Sequence, residues 1–385
     1  MLQIDHIYEF LYQELFKDFE FWHLFNGVVQ INPIKQTAIS VFTRKENTNK
    51  KIFFYDQEPL VSTLSDPYID MFNSNTTENI LTTSEYSSTV DLYAVDNNFK
   101  KLYYFFHGFA ALDWYRGHYA LNHNKSIVKQ YKNDFITFNR IINNDRSYRI
   151  YFISQLKEHG LIERGLVSFG VTDNLFDSWQ DEINNIDTKL SSSATIHIQQ
   201  HLSSMPDRLI IDRDNIHGSA SADIPRTIDS ITVPANIDAF WHVVTETVFY
   251  YDKLHLTEKI FKPIVSKQPF MLLAAPGNLA YLKSYGFKTF DSVIDESYDT
   301  IQDNDARIEA VVDQLHWYCN LTPGEKTDVI KQLEPIIDYN FNHFYGEFRH
   351  IIARELLDNT KTVFKEIGYD DSHVNYTNIH HVLTH

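Results

Sequence analysis

The spacing of apolar and polar positions changes period several times along the chain, and each change marks an element. Residues 4–25 repeat apolar groups at helical spacing and predict an amphipathic helix. Short β-rich runs follow at 52–55 (IFFY), 80–83 (ILTT), 92–95 (LYAV) and 102–106 (LYYFF), each bounded by polar or turn residues. Buried strands of an α/β sheet have that form. They predict a first domain over 1–125, with the polar segment 121–134 as a linker. FITF at 135–138 predicts a strand, followed by a helix over 146–159 that Gly160 stops and by a strand at 166–169 (LVSF). Residues 175–235 are less legible. FWHVVTE (240–246) predicts a strand, Thr257 starts a helix to about Val265, and PFMLLAA (269–275) is the clearest buried strand. Pro276-Gly277-Asn278 turns that strand into another helix, and 303–366 reads as almost wholly helical. Alternating strands and helices predict an α/β, doubly wound parallel architecture. The second domain spans 135–340, and a C-terminal helix and tail over 341–385 pack back on the first.

At 385 residues the chain exceeds what one core usually serves, which favours two domains. Aromatic residues make up 15 %, enough for tight cores and for rings that stack on sugars or bases. The net charge of −17, with a pI near 5.4, disfavours nonspecific attraction to polyanions. A nucleic-acid partner would need a local basic patch, for which Lys100, Lys101, Lys125, Lys129 and Lys132 are the candidates. Cys319 is the only cysteine, so no disulfide framework is expected and a reduced, cytoplasmic setting is the default. The first residues lack the basic and uninterrupted apolar regions of a signal peptide. No apolar run approaches the roughly 20 residues of a membrane span, so a soluble protein is expected.

The most informative stretch runs from Glu246 to Gly277. Thr257 is a good N-cap and places Glu258 and Lys259 in the first turn of the helix it opens. A helix N-terminus suits a diphosphate, a carboxylate can grip ribose hydroxyls, and a lysine neutralises phosphate charge. The unit leads into the crevice where open α/β sheets bind ligands.

In these residues the chain resembles the α1,3-fucosyltransferase group of GT-B glycosyltransferases. That group carries an acidic residue, a Thr-Glu-Lys some ten positions on, then a helix and a Pro-containing apolar strand. Glu246 and Glu258 fill this pattern here at a slightly longer spacing. A strand ending in Asn and followed by an Arg that opens a helix is matched by Asn139, Arg149 and Leu156. The resemblance covers about 135–290. It implies two Rossmann-like domains facing a cleft, the donor bound by the second. It implies a nucleotide-sugar co-substrate, UDP- or GDP-linked, used without a metal and with inversion. By the same resemblance Arg149 and Lys259 would contact the diphosphate, with Arg140 and Arg146 as further candidates. Glu258 would hold the ribose and Glu246 would lie by the transferred sugar. The family's Glu-Asn-Ser triplet is Glu246-Thr247-Val248 here, so neither fucose nor guanine is implied. FYDQEP, a His-Gly-Phe segment and the Arg-rich turn are also similar to glycosyltransferases of large tailed phages, which would place the protein in a host cytoplasm. The acceptor is therefore open between a glycan and a hydroxylated DNA base.

An inverting transferase needs a base for the acceptor hydroxyl. In the first domain Asp56 and Glu58 follow IFFY, while His107 and Asp113 follow LYYFF, with Trp114 and Tyr115 as stacking candidates. Glu58, His107 and Asp113 are the foremost base candidates. His197 and His201 lie four apart, but HIQQH lacks the glutamate of a zincin and SATIHIQ also reads as a strand, so no metal is assigned. Asp212-Arg213-Asp214 forms a DxD, as in metal-dependent GT-A transferases, and Asp303-Asn304-Asp305 forms another. Two alternatives stand: a GT-A-like enzyme using Asp212 and Asp214, and a catalytically inactive GT-B binding scaffold.

Overall fold

The structure is a computed structural model that describes residues 5–25, 28–31, 50–57, 59, 78–115, 131–139, 141–142, 144–170, 179–186, 189–205, 209 and 238–384. The chain divides into two compact units, Met1–Arg116 with Tyr345–His385, and Gly117–Phe344.

The first unit opens with α1 (Asp5–Phe10), which passes into a π-helical turn at Leu11–Leu15. The helix expected over 4–25 therefore ends early, and Glu20–Phe25 forms strand β1. The aromatic-rich run EFWHLF suits a pleated surface better than a third helical turn. Strand β2 (Val28–Ile31) pairs antiparallel with β1. Strands β3 (Lys50–Tyr55) and β4 (Glu78–Thr83) follow, then helix α2 (Ser88–Asp96), strand β5 (Lys100–Tyr103) and helix α3 (Phe106–Tyr115). The sheet order is β2-β1-β3-β4-β5, and all neighbours except β1 and β2 run parallel.

LYAV, expected as a strand, lies inside α2. Ser87 caps that helix by accepting the Val90 N–H, while Tyr93 and Ala94 are buried and Leu92 and Val95 are exposed. Apolar residues on both faces had hidden the helical period.

In the second unit β6 (Asn133–Asn139) leads through a 3₁₀ turn at Asn144–Arg146 into α4 (Tyr148–Glu158), and Gly160 ends it in the left-handed region at φ 65°. Strand β7 (Gly165–Phe169), helices α5 (Trp179–Ile186) and α6 (Ser192–Leu202), and strand β8 (Ala239–Thr245) follow. Then come α7 (Phe261–Val265), β9 (Phe270–Leu273), α8 (Asn278–Ser284), α9 (Asn304–Cys319) and α10 (Pro323–His343). The sheet order is β7-β6-β8-β9, every pair parallel. All seven residues of β8 are buried, as in a central strand covered on both faces. The order reverses between β6 and β8, which makes the carboxyl ends of these two strands the topological switch point.

Two local readings change here. SATIHIQ is helical: Ser191 caps α6 through the Ala194 N–H, so His197 and His201 share one helical face. Helix α7 begins at Phe261, not at Thr257; residues 258–260 form tight turns in which Glu258 and Lys259 carbonyls accept from Phe261 and Lys262.

A π-helical turn at Phe344–Phe348 leads to α11 (Arg349–Glu366) and α12 (Tyr376–Thr384). Phe364 of α11 meets Phe16 edge-on at 5.5 Å and stacks on Phe19 at 5.9 Å, and the Asn359 amide donates to the Tyr103 carbonyl. No helix among the described residues is long and apolar enough to cross a membrane.

Candidate functional site

The residues gathered at the switch point of the second sheet come from four segments: the ends of β6 and β8, the first turn of α4, and the turn before α7. Glu246, directly after β8, is fully buried. Its carboxylate accepts the Thr257 hydroxyl at 2.5 Å and the Thr257 and Thr247 amides at 3.2 Å. Burial pushes its pKa up, and the neighbouring Lys259 charge and the Thr257 hydrogen bond pull it back. Glu246 thus fixes the turn that carries the Thr-Glu-Lys sequence. Lys259 Nζ lies 3.1 Å from Thr257 Oγ1, 3.3 Å from Thr247 Oγ1 and 3.5 Å from Glu258 Oε1. Its side chain is 37 % exposed, so the ammonium is anchored at its base and open to a ligand.

Helix α4 is bolted to the same strand end. Tyr148 donates to the Glu246 carbonyl at 2.6 Å, and Arg149 donates to the carbonyls of Thr245 at 2.8 Å, Glu246 at 3.2 Å and Ile141 at 2.8 Å. Arg149 is 3 % exposed. Both terminal nitrogens of its guanidinium are engaged with main-chain carbonyls. Arg146 closes the 3₁₀ turn and is half-buried. Arg140 lies outside the described residues.

Asn139 ends β6 fully buried. Its side-chain amide donates to Thr137 Oγ1 at 3.1 Å and its own N–H to Ser168 Oγ at 2.9 Å, while its side-chain carbonyl has no donor among the described residues. A buried carbonyl without a partner costs about 1–3 kcal/mol, and a ligand N–H or hydroxyl would relieve it.

Sequence reasoning passed over two residues. Lys262, four positions past Glu258, holds its ammonium 4.1 Å from the centre of the Phe138 ring, and burial lowers its pKa to about 8. Two lysines three apart in TEKIFK were the available signal, since that spacing puts them on one side of a turn. Arg307 of α9 is 2 % exposed and donates to the carbonyls of Ala274 at 3.0 Å, Phe249 at 2.9 Å and Ile301 at 2.7 Å. It ties together the loops that leave β8 and β9, and nothing local in its helix announces this.

The base candidates lie in the first unit and are described there alone. His107 is buried at the start of α3 with Nε2 3.1 Å from the Gln57 carbonyl, and Asp113 sits half-buried on the same helix. Glu58 lies outside the described residues. Asp56 is 1 % exposed; it accepts the Tyr8 hydroxyl at 3.1 Å and also the Tyr104 hydroxyl, and burial raises its pKa to about 7.

Asp212, Asp214, Lys125 and Lys129 also lie outside the described residues. Asp303 and Asp305 are spent on helix α9: Asp303 caps it through the Ala306 N–H at 2.9 Å, and Asp305 accepts the Ser191 N–H at 3.1 Å. Lys100, Lys101 and Lys132 each face an acid, namely Glu366, Asp91 and Asp238. Cys319 is buried, with its thiol pushed up to about 12 by burial, which makes it unreactive.

The chain gives no match to a protein-family model, to a curated protein or to a solved structure.

Proposed function

We propose that the protein is a GT-B-type glycosyltransferase that transfers a sugar from a nucleoside-diphosphate donor to an acceptor hydroxyl, with inversion and without a metal on the donor. One observation carries the reading. At the switch point, Lys259 and Lys262 sit within one turn of the carboxylate Glu258, and the adjoining strand β6 ends in the buried Asn139, whose side-chain carbonyl has no donor among the described residues. Two cations suit a diphosphate, a half-exposed carboxylate suits a ribose diol, and a partnerless carbonyl suits a ligand N–H or hydroxyl.

In this reading Lys259 and Lys262 stabilise the negative charge that grows on the leaving nucleoside diphosphate as the glycosidic bond breaks. Glu246 and Arg149 act as positioning residues: the first holds the Thr257 turn, the second holds the end of β8. The base that takes the acceptor proton comes from Glu58, His107 or Asp113. Among acceptors a glycan is favoured, because three of the five lysines considered for a DNA groove are already paired with acids.

The test is thermal stability against UDP, GDP, CDP, dTDP and ADP, with and without Mg²⁺. A ligand bound at 100 times its Kd stabilises the fold by about 2.7 kcal/mol, so a responding nucleotide names the donor base. A shift that needs no metal and vanishes in Lys259→Glu supports the assignment. A shift that depends on Mg²⁺ and on Asp212 points to a GT-A-like enzyme, and no shift at all points to an inactive scaffold.

A further inference from the structure

The far end of helix α4 carries a second constellation, distinct from the switch point. Glu158, in the last turn of α4, faces His197 and His201 of α6, and one ligand atom from each lies within 4.8 Å of the others. The His197 and His201 rings stack at 4.3 Å, and His197 Nε2 is 2.8 Å from Glu158 Oε2. About nine residues, or roughly 14 Å of helix, separate Arg149 from Glu158, so the two sites are apart.

The contacts of His197 suit a ligand. Ser154 is fully buried, and its Oγ lies 2.7 Å from the Tyr151 carbonyl oxygen and 3.0 Å from His197 Nδ1. That contact fixes the ring and leaves Nε2 facing the Glu158 carboxylate at 2.8 Å and the Gln155 amide at 3.4 Å. An outer hydrogen bond to one ring nitrogen is how metal-binding histidines are oriented.

We infer that Glu158, His197 and His201 form a three-ligand site for a divalent transition-metal ion of the zinc type. Two nitrogens and one carboxylate oxygen suit zinc, and a water would complete a tetrahedron. Ligand atoms about 2.0–2.1 Å from the metal sit roughly 3.3 Å apart, which turns of the exposed Glu158 and half-exposed His201 side chains would reach. Both helices end at this point, and the negative ends of their dipoles favour a cation. The site opens on a polar cleft of about 390 Å³ that Glu309 and Asp313 of α9 also line. Glu309 is engaged by the Tyr151 hydroxyl at 2.6 Å, and His159 pairs with His316 of α9 at 4.9 Å between rings. The metal would staple α4 to α6.

The test is calorimetric titration of the full chain with Zn²⁺ at pH 7.5, with Mg²⁺ as the control. One equivalent of Zn²⁺ should bind and raise the melting temperature, and Mg²⁺ should do neither. Glu158→Gln and His201→Gln should each weaken Zn²⁺ binding tenfold or more, while the tail pair His380→Gln/His381→Gln leaves it unchanged. Cobalt substitution should give the intense visible bands of a four-coordinate ion in the parent chain, lost in His201→Gln. Absence of Zn²⁺ binding would overturn the proposal, leaving a plain His197–Glu158 hydrogen bond. Full retention of binding in a folded His197→Gln/His201→Gln chain would overturn it equally.

Discussion

The hydroxyl of Thr257 points into the protein and donates to the carboxylate of Glu246 across 2.5 Å, eleven positions back in the chain. A charge-assisted hydrogen bond of this kind in a dry setting contributes about 1.5–3 kcal/mol. Thr257→Val keeps the shape and removes the donor, leaving Glu246 with two backbone amides. Unfolding free energy by urea should drop by about 1.5–3 kcal/mol, and nucleotide-induced stabilisation should weaken as the turn loosens. An unchanged midpoint would mean that the bond is immaterial to the fold.

Lys259 tests the chemistry apart from the fold. Because its side chain is 37 % exposed, Lys259→Gln, which removes the cation without adding a carboxylate beside Glu246 and Glu258, should leave the melting temperature within a few degrees of the parent. Donor hydrolysis and the nucleotide-dependent shift should both disappear. Residual donor turnover above about 1 % would remove Lys259 from the site.

Lys262 predicts a pH dependence with two signs. Burial lowers its pKa from 10.5 to about 8, so between these values the unfolded chain binds more protons than the native one. The stability of the free protein should therefore rise with pH across that window. Affinity for a nucleoside diphosphate should instead fall as pH climbs past 8, because the ammonium facing the anion is lost. Lys262→Met should flatten both profiles, which isothermal titration and urea melts between pH 7 and 10 would read.

His242, buried in the middle of β8, contributes to the acid side. Burial and the nearby Lys262 charge lower its pKa to about 3, well under its ordinary 6.5. Between those values the unfolded state gains a proton that the native state refuses, so stability falls on acidification, by up to about 1.4 kcal/mol per pH unit. His242→Phe should make the acid limb shallower. An identical limb would show that other groups set it.

Strand content was legible wherever burial was uniform. IFFY, ILTT, FITF, LVSF, FWHVVT and FMLL are all strands, because a parallel strand covered on both faces is apolar on both and its run needs no periodicity. The same rule misled at LYAV, where a helix with exposed Leu92 and Val95 imitates such a run. It also misled at 20–25, where aromatic spacing fits either period. At the switch point, sequence brought Glu246, Thr257 and Lys259 together through a motif, and the geometry adds the bonds among them. Arg307 and the Asn139 carbonyl were out of reach. Their surroundings come from segments far off in the chain, and no local pattern encodes a long-range partner. His197 and His201 were visible as a spacing, but their third neighbour, Glu158, is 39 positions away from His197.

The return of Tyr345–His385 to the first unit has a consequence for synthesis. During translation the second unit is contiguous and can complete its sheet as soon as its last helix has emerged. The first unit waits: Phe16 and Phe19 have no Phe364 to pack against until the final helices leave the ribosome. The expected folding order is thus inverted relative to chain order, and the nascent segment Met1–Arg116 must survive with an incomplete aromatic core. A chain stopped at Phe344 should therefore yield a protease-resistant second unit beside a digestible first one. Limited proteolysis with mass spectrometry would reveal it.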